Sequence, residues 1–119
     1  YADMPRLIAA ADVVAIPQLD TEASHYQMPM KAYDGMAMAA PIVASAISDL
    51  PQLLDGCGRL VPPGDVDALA AALRGLLDAP AEARALGLRA RAKLLENFTL
   101  SHVADTLRGV LERVVSKST

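Results

Sequence analysis

Three short apolar runs constrain this chain more than anything else in it: VVAIP at 13–17, PIVAS at 41–45 and GRLVPP at 58–63. Each is too short to be a helix of its own and is punctuated by proline or glycine. Continuous apolar character in so short a run is the pattern of a strand covered on both faces. Helical periodicity fills much of the chain between and after the runs. Strands alternating with helices predict parallel βα units, and therefore an α/β fold with a parallel sheet and flanking helices.

The intervening segments supply the helices. Met4, Leu7, Ile8 and Ala11 recur at i, i+3, i+4 and i+7 behind Asp3, which suits an N-cap. QLDTEASHYQM (18–28) is polar without a period and reads as a loop. A second helix is expected from Pro29 to about Ala39, because proline suits the first helical turn. SDLPQLLDG (48–56) predicts a short helix capped by Ser48, with Pro51 in its first turn. Asp65 precedes a helix whose Val66, Leu69, Leu73 and Leu76 share one face. Two more helices are expected at 81–98 and 100–115. The last is capped by Thr99, carries Val103, Leu107, Val110 and Val114 in phase, and leaves SKST as a frayed tail. No repeat or linker divides the 119 residues, so 1–119 reads as a single domain. Three strands are few for a doubly wound sheet, and the chain opens on Tyr1 rather than Met. Both features suggest a piece of a longer protein.

Composition removes several functions. With 53% apolar and 21% charged residues the chain is globular rather than disordered. A net charge of -3 gives no basic face for nucleic acid, and 3% aromatics with no Trp give no base-stacking platform. Cys57 is alone, which rules out an internal disulfide or a cysteine-rich metal site and favours a reducing compartment. No apolar run is long enough to span a membrane and no signal peptide is present, so a cytoplasmic location is expected.

In an open α/β sheet, ligands bind outside the carboxyl ends of the strands. Segment 18–28 lies there and leads into the helix at Pro29. Free amides at a helix start, at the positive end of its dipole, suit a phosphate group. Pro29 has no amide, so the donors would be Met28, Met30 and Lys31. Lys31 adds a positive charge, and Asp34 on the same face is placed to accept hydrogen bonds from a hydroxyl pair such as a ribose. On spacing alone, an exposed i, i+3 ion pair is the more frequent meaning of Lys31 and Asp34. Met30, Tyr33, Met36 and Ala37 read as core. His25 is a ligand-contact candidate through its place in the loop, whereas His102 reads as a surface residue. Asp20 and Glu22 offer a weak carboxylate pair of hydrolytic type. Ser24 and Ser45 lack a G-x-S-x-G context, and neither G-x-G-x-x-G nor G-x-x-x-x-G-K occurs.

Taken in order, these segments resemble a known family. PMKAYDGMAMAAPIVAS (29–45) resembles the P-x-K-x-x-E-Y-M-A-x-G-x-P-V-V-A-S stretch of the glycosyl transferases group 1 family, retaining enzymes of the GT-B fold. LIAAADVVAIPQ (7–18) resembles that family's l-y-x-x-A-D-v-x-v-x-P strand. GRLVPPGDVDALAAALRGLL (58–77) resembles its G-x-L-V-P-P-G-D-x-x-A-L-A-x-A-L segment, and ENFTLSHVADTLRGVLERV (96–114) its closing helix. The ordered set covers nearly the whole chain.

The resemblance implies the later part of a Rossmann-like, C-terminal donor-binding domain in a bacterial-type glycosyltransferase. Such an enzyme moves a sugar from a nucleotide-diphosphate donor to an acceptor with retention, using no metal or other cofactor. The leaving diphosphate is stabilised electrostatically rather than by attack of a protein nucleophile. Asp34 falls on the acid that holds the donor ribose, and the backbone from Met28 to Lys31 would meet the diphosphate. His25, Tyr26 and Gln27 complete the expected substrate-binding loop.

Several positions depart from the family pattern. Tyr26 stands eight positions before Asp34, where the two-acid form of the motif has its first glutamate, and Glu22 is an acid at the wrong spacing. Ala39 replaces the glycine that precedes the strand proline by two places. The diphosphate-neutralising Arg and Lys, the base pocket and the acceptor domain would all precede residue 1, so the fragment alone is expected to be inactive. The implied partners are a nucleotide sugar and a glycan, lipid or small-molecule acceptor, with no nucleic acid. Peripheral membrane association of the full-length protein stays open. Apolar sheet edges and helix faces left uncovered in the fragment predict self-association. The alternative is a non-catalytic, degenerate glycosyltransferase-like interaction domain. A nucleotide-sugar epimerase on the same general fold is a third reading, disfavoured by the loop-to-helix sequence.

Overall fold

The second of the three runs, PIVAS, becomes the middle of the sheet. In a computed structural model that describes residues 2–118, β2 (Ile42–Ser45) lies between β1 (Val14–Ile16) and β3 (Arg59–Val61) in one three-stranded parallel sheet. Val14 pairs with Ile42 and Ile16 with Ala44 on one side, while Val43 pairs with Arg59 and Ser45 with Val61 on the other. All four β2 residues are buried, and the edge strands are only partly so. Alternation along a strand sends successive side chains to opposite faces, and β2 therefore feeds two cores.

Ile42 and Ala44 meet Ala32 and Met36 of α3 (Met30–Ala37) and Leu50 and Leu53 of α4 (Leu50–Leu53). Val43 packs with Val61, with Leu76, Leu69 and Leu73 of α5 (Val66–Asp78), and with Ala83 and Leu86 of α6 (Pro80–Asn97). Further along α6, Ala90 and Leu94 reach the first core, so one helix closes both. Two glycines permit these close approaches. A Cβ at Gly35 would lie 3.0 Å from the Ile42 Cδ1, and one at Gly87 would overlap the Ala39 carbonyl oxygen.

Basic residues of α6 hold the carboxyl ends of its neighbours, where helix carbonyls are left over. Arg91 donates to the Ala37 carbonyl at the end of α3. Arg89 Nε donates to the Gly56 carbonyl at 3.1 Å, and Lys93 Nζ to those of Gln52 and Asp55 at 2.8 and 3.4 Å.

The expected elements are present, with revised ends. α1 spans Met4–Ala9, and Asp3 occupies its N-cap position without a side-chain cap bond. Segment 18–28 is not simply a loop. It contains α2 (Glu22–His25), started by Thr21, whose Oγ1 accepts the Ser24 amide at 3.2 Å. Four residues are too few to display a period, which hid this turn. The cap of α4 is Asp49 rather than Ser48, since Ser48 has a φ of 56° and already lies in the left-handed region. Asp65 caps α5 as expected through Ala68 N at 2.9 Å, but Val66 is 74% exposed because it precedes the buried part of its face. α7 (Leu100–Lys117) runs through most of the tail, and the Thr99 hydroxyl meets the side chains of Ser101 and His102 instead of an amide. Its first residues of the tail are thus helical rather than frayed; Tyr1 and Thr119 lie outside the described residues.

Candidate functional site

At the carboxyl edge of the sheet the three strand exits converge on one residue, Gln18. The Gln18 N–H donates to Ser45 Oγ at 2.8 Å, and the Gln18 carbonyl accepts from the same hydroxyl at 3.2 Å and from the Gly64 amide at 3.1 Å. Beside this junction is a mainly apolar cavity of about 170 Å3, whose lining includes Pro17, Gln18, Val61, Pro62, Val66 and Leu69. The Gln18 Oε1 is buried and has no protein partner.

From Gln18 the chain passes outward. Leu19 is 67% exposed, and α2 carries no buried residue. His25 Nε2 sits 2.7 Å from Asp20 Oδ1, with both side chains in solvent, so this histidine is engaged by the acid of its own loop. Asp20 accordingly partners His25. Tyr26 is 86% exposed and Gln27 is exposed. The chain returns at Met28, which packs against the first core, and at the buried Pro29.

Pro29 is the N-cap of α3, with φ -65° and ψ 121°. Extended backbone at that point turns the chain into the helix, and its carbonyl accepts the Ala32 amide at 3.1 Å. The amides of Met30 and Lys31 precede the first intrahelical bond, so they have no partner inside the helix. Lys31 is exposed and Asp34 half-buried, one turn apart on the same element. Met30 is 64% exposed, which removes it from the core and leaves it at the mouth of the site. Met36 is buried, and Tyr33 packs on the core with its ring edge-on to Phe98 at 5.9 Å. A broader depression of about 650 Å3 adjoins this helix start, lined in part by Met28, Tyr33, Asp49, Gln52 and Phe98.

The structure therefore brings Met28, Met30, Lys31 and Asp34 together at one helix start, and carries His25, Tyr26 and Gln27 on the exposed arm leading to it. Such a start presents amide donors, a dipole and an ammonium group, which suits a diphosphate rather than a neutral ligand. Cys57 takes no part. It is buried, its Sγ faces the Leu53 carbonyl, and burial pushes the thiol pKa up against the opposing pull of Lys93 and Arg89. Among the described residues no group of three or more His, Cys, Asp or Glu is placed to hold a metal ion. No described helix is long and apolar enough to cross a membrane. Residue-level reading missed the junction at Ser45. The available signal was a hydroxyl ending an otherwise apolar strand, where no nucleophile motif explained it.

Residues 1–79 match the family model described as Glycosyl transferases group 1. The chain is 38% identical to the MMP alpha-(1->4)-mannosyltransferase of Mycolicibacterium hassiacum across 97% of its own length and 28% of that protein. It is 34% identical to the D-inositol 3-phosphate glycosyltransferase of Mycobacterium avium across 98% of its own length and 27% of that protein. Among solved structures, a sucrose-phosphate synthase from Thermosynechococcus elongatus matches 95% of this chain and 27% of its own, with a TM-score of 0.79 and 32% identity. The chain thus spans little more than a quarter of the length of these relatives.

Proposed function

Because the chain belongs to the glycosyl transferases group 1 family and has the α/β architecture of GT-B glycosyltransferases, we propose that it forms part of the nucleotide-sugar site of a retaining glycosyltransferase. In this reading it is the later part of the C-terminal donor-binding domain, and the full-length protein transfers the sugar to a glycan, lipid or small-molecule acceptor. The observation that carries the reading is the start of α3. Its first amides, which have no partner inside the helix, stand at the carboxyl edge of a parallel sheet, with exposed Lys31 in the first turn and half-buried Asp34 three residues on.

The chemistry follows from that placement. As the bond between sugar and diphosphate breaks, negative charge grows on the departing oxygens. Amides of Met30 and Lys31 and the Lys31 ammonium are oriented before the reaction, so they favour that charge without reorganising. Asp34 accepts hydrogen bonds from the ribose hydroxyls and fixes the nucleotide end of the donor. Neither a protein nucleophile nor a bound cation enters this account.

The test uses full-length protein with a panel of UDP-, GDP- and ADP-sugars. Transfer from at least one donor is expected. Asp34→Ala should weaken binding of that nucleotide sugar roughly tenfold or more, the loss of charge-assisted hydrogen bonds; unchanged affinity would overturn the ribose role. One feature favours a second reading, a non-catalytic interaction domain: Tyr26, largely in solvent, stands where the two-acid motif has its first glutamate. Neither binding nor turnover across the panel would select it.

A further inference from the structure

Among the described residues Ser45 is the one buried polar residue, 2% exposed among apolar neighbours, and the proposed chemistry leaves it unused. A hydroxyl in such a place costs about 1–3 kcal/mol unless it is hydrogen-bonded. Here it is satisfied twice by one residue, taking the Gln18 N–H at 2.8 Å and donating to the Gln18 carbonyl at 3.2 Å. Gly64, at a φ of 75° that favours glycine, brings its amide to the same carbonyl at 3.1 Å. The exit of β1, the last residue of β2 and the loop after β3 are tied at the backbone of one residue, Gln18, just beyond the last β1–β2 pair, Ile16 with Ala44. This tie sets the direction in which the chain leaves β1.

That direction matters because little else holds the following arm. Between Gln18 and Met28 nearly every residue is exposed, and α2 buries nothing. The arm is anchored at its two ends, by the junction at Gln18 and by Met28 and Pro29 at the start of α3. We propose that Ser45 is a positioning residue: through Gln18 it holds segment 18–28, and with it the Met28–Lys31 backbone, in the geometry that receives a nucleoside diphosphate. The proposal rests on the nucleotide-sugar reading of the α3 start. Its energetic basis is preorganisation. An arm released at one end must be ordered again on binding, and that entropy is taken from affinity.

The experiment compares full-length wild type with Ser45→Ala and with Ser45→Cys, which keeps the shape of the side chain, slightly enlarged, but only weak hydrogen bonding. Amide hydrogen exchange is read over 18–28, and binding of UDP, GDP and ADP is measured by calorimetry well below the unfolding transition. Faster exchange in 18–28 with α5 and α6 unchanged is expected for Ser45→Ala. With it should come roughly tenfold weaker binding of the nucleotide that wild type takes, with Ser45→Cys in between. Unchanged exchange, or a loss of stability with unchanged affinity, overturns the positioning role. If Ser45→Ala fails to fold, Ser45→Cys carries the same comparison. Wild type binding none of the three nucleotides removes the nucleotide-sugar reading itself, an outcome distinct from wild type binding while the variants bind equally well.

Discussion

Ala39 shows how one residue can register both a family pattern and its local cost. It follows the last turn of α3 with a φ of 55°, and its amide and that of Ala40 bond back to Met36 and Gly35 at 3.1 and 2.9 Å. That is a Schellman ending, whose left-handed residue is usually glycine. An alanine there is strained by about 1–2 kcal/mol, partly offset by the smaller entropy it loses on folding. Ala39→Gly should therefore raise stability by up to about 1 kcal/mol, read as a higher Tm in thermal unfolding; a lower Tm would show that the strain is absent. The glycine expected at this position from the family pattern thus has a conformational meaning, legible in the sequence as a departure but explained only by the backbone angle. Lys31 and Asp34 were legible as residue types one turn apart. Their place at the start of α3, beside the carboxyl ends of the strands, is what the tertiary structure adds.

Elements were read well where they are long or uniformly apolar, and poorly where they are short. The strands emerge from their short apolar runs, and α5, α6 and α7 from the spacing of their apolar residues, which in α5 and α6 reach the cores and in α7 stay exposed. α2 did not, since a single turn started by Thr21 is specified by one hydroxyl rather than by a pattern. The role of α6 is also invisible in its own sequence. Its basic residues look like a solvated face, yet Lys93 spans from α6 to the carbonyls of Gln52 and Asp55 at the end of α4. Replacing Lys93 with Met keeps the aliphatic stem and removes the ammonium. The loss expected in chemical denaturation is about 1–2 kcal/mol, reduced by the partial exposure of the group. An unchanged midpoint would mean that water replaces the contact without penalty.

At the scale of the whole molecule the chain is elongated, with extents of 60 × 30 × 27 Å, and α7 contributes no buried residue. Val103, Leu107, Val110 and Val114 lie exposed along it, in the phase that the sequence predicts for a packed face. Residues 1–119 on their own should therefore self-associate, with sedimentation velocity showing a mass that rises with concentration above the 12.5 kDa chain; a constant monomer mass would refute this. What the sequence by itself determined is what local pattern can encode: three short parallel strands, a helix beginning at Pro29, and the ordered segments of a glycosyltransferase family. Tertiary structure alone decided which side chains the patterns serve. It exposed Met30 and Val66, passed α6 beneath both cores, and joined Gln18 to Ser45 across 27 residues of sequence. Periodicity marks the apolar face of an element. The partner that face meets depends on segments distant in the chain, and only packing brings those together.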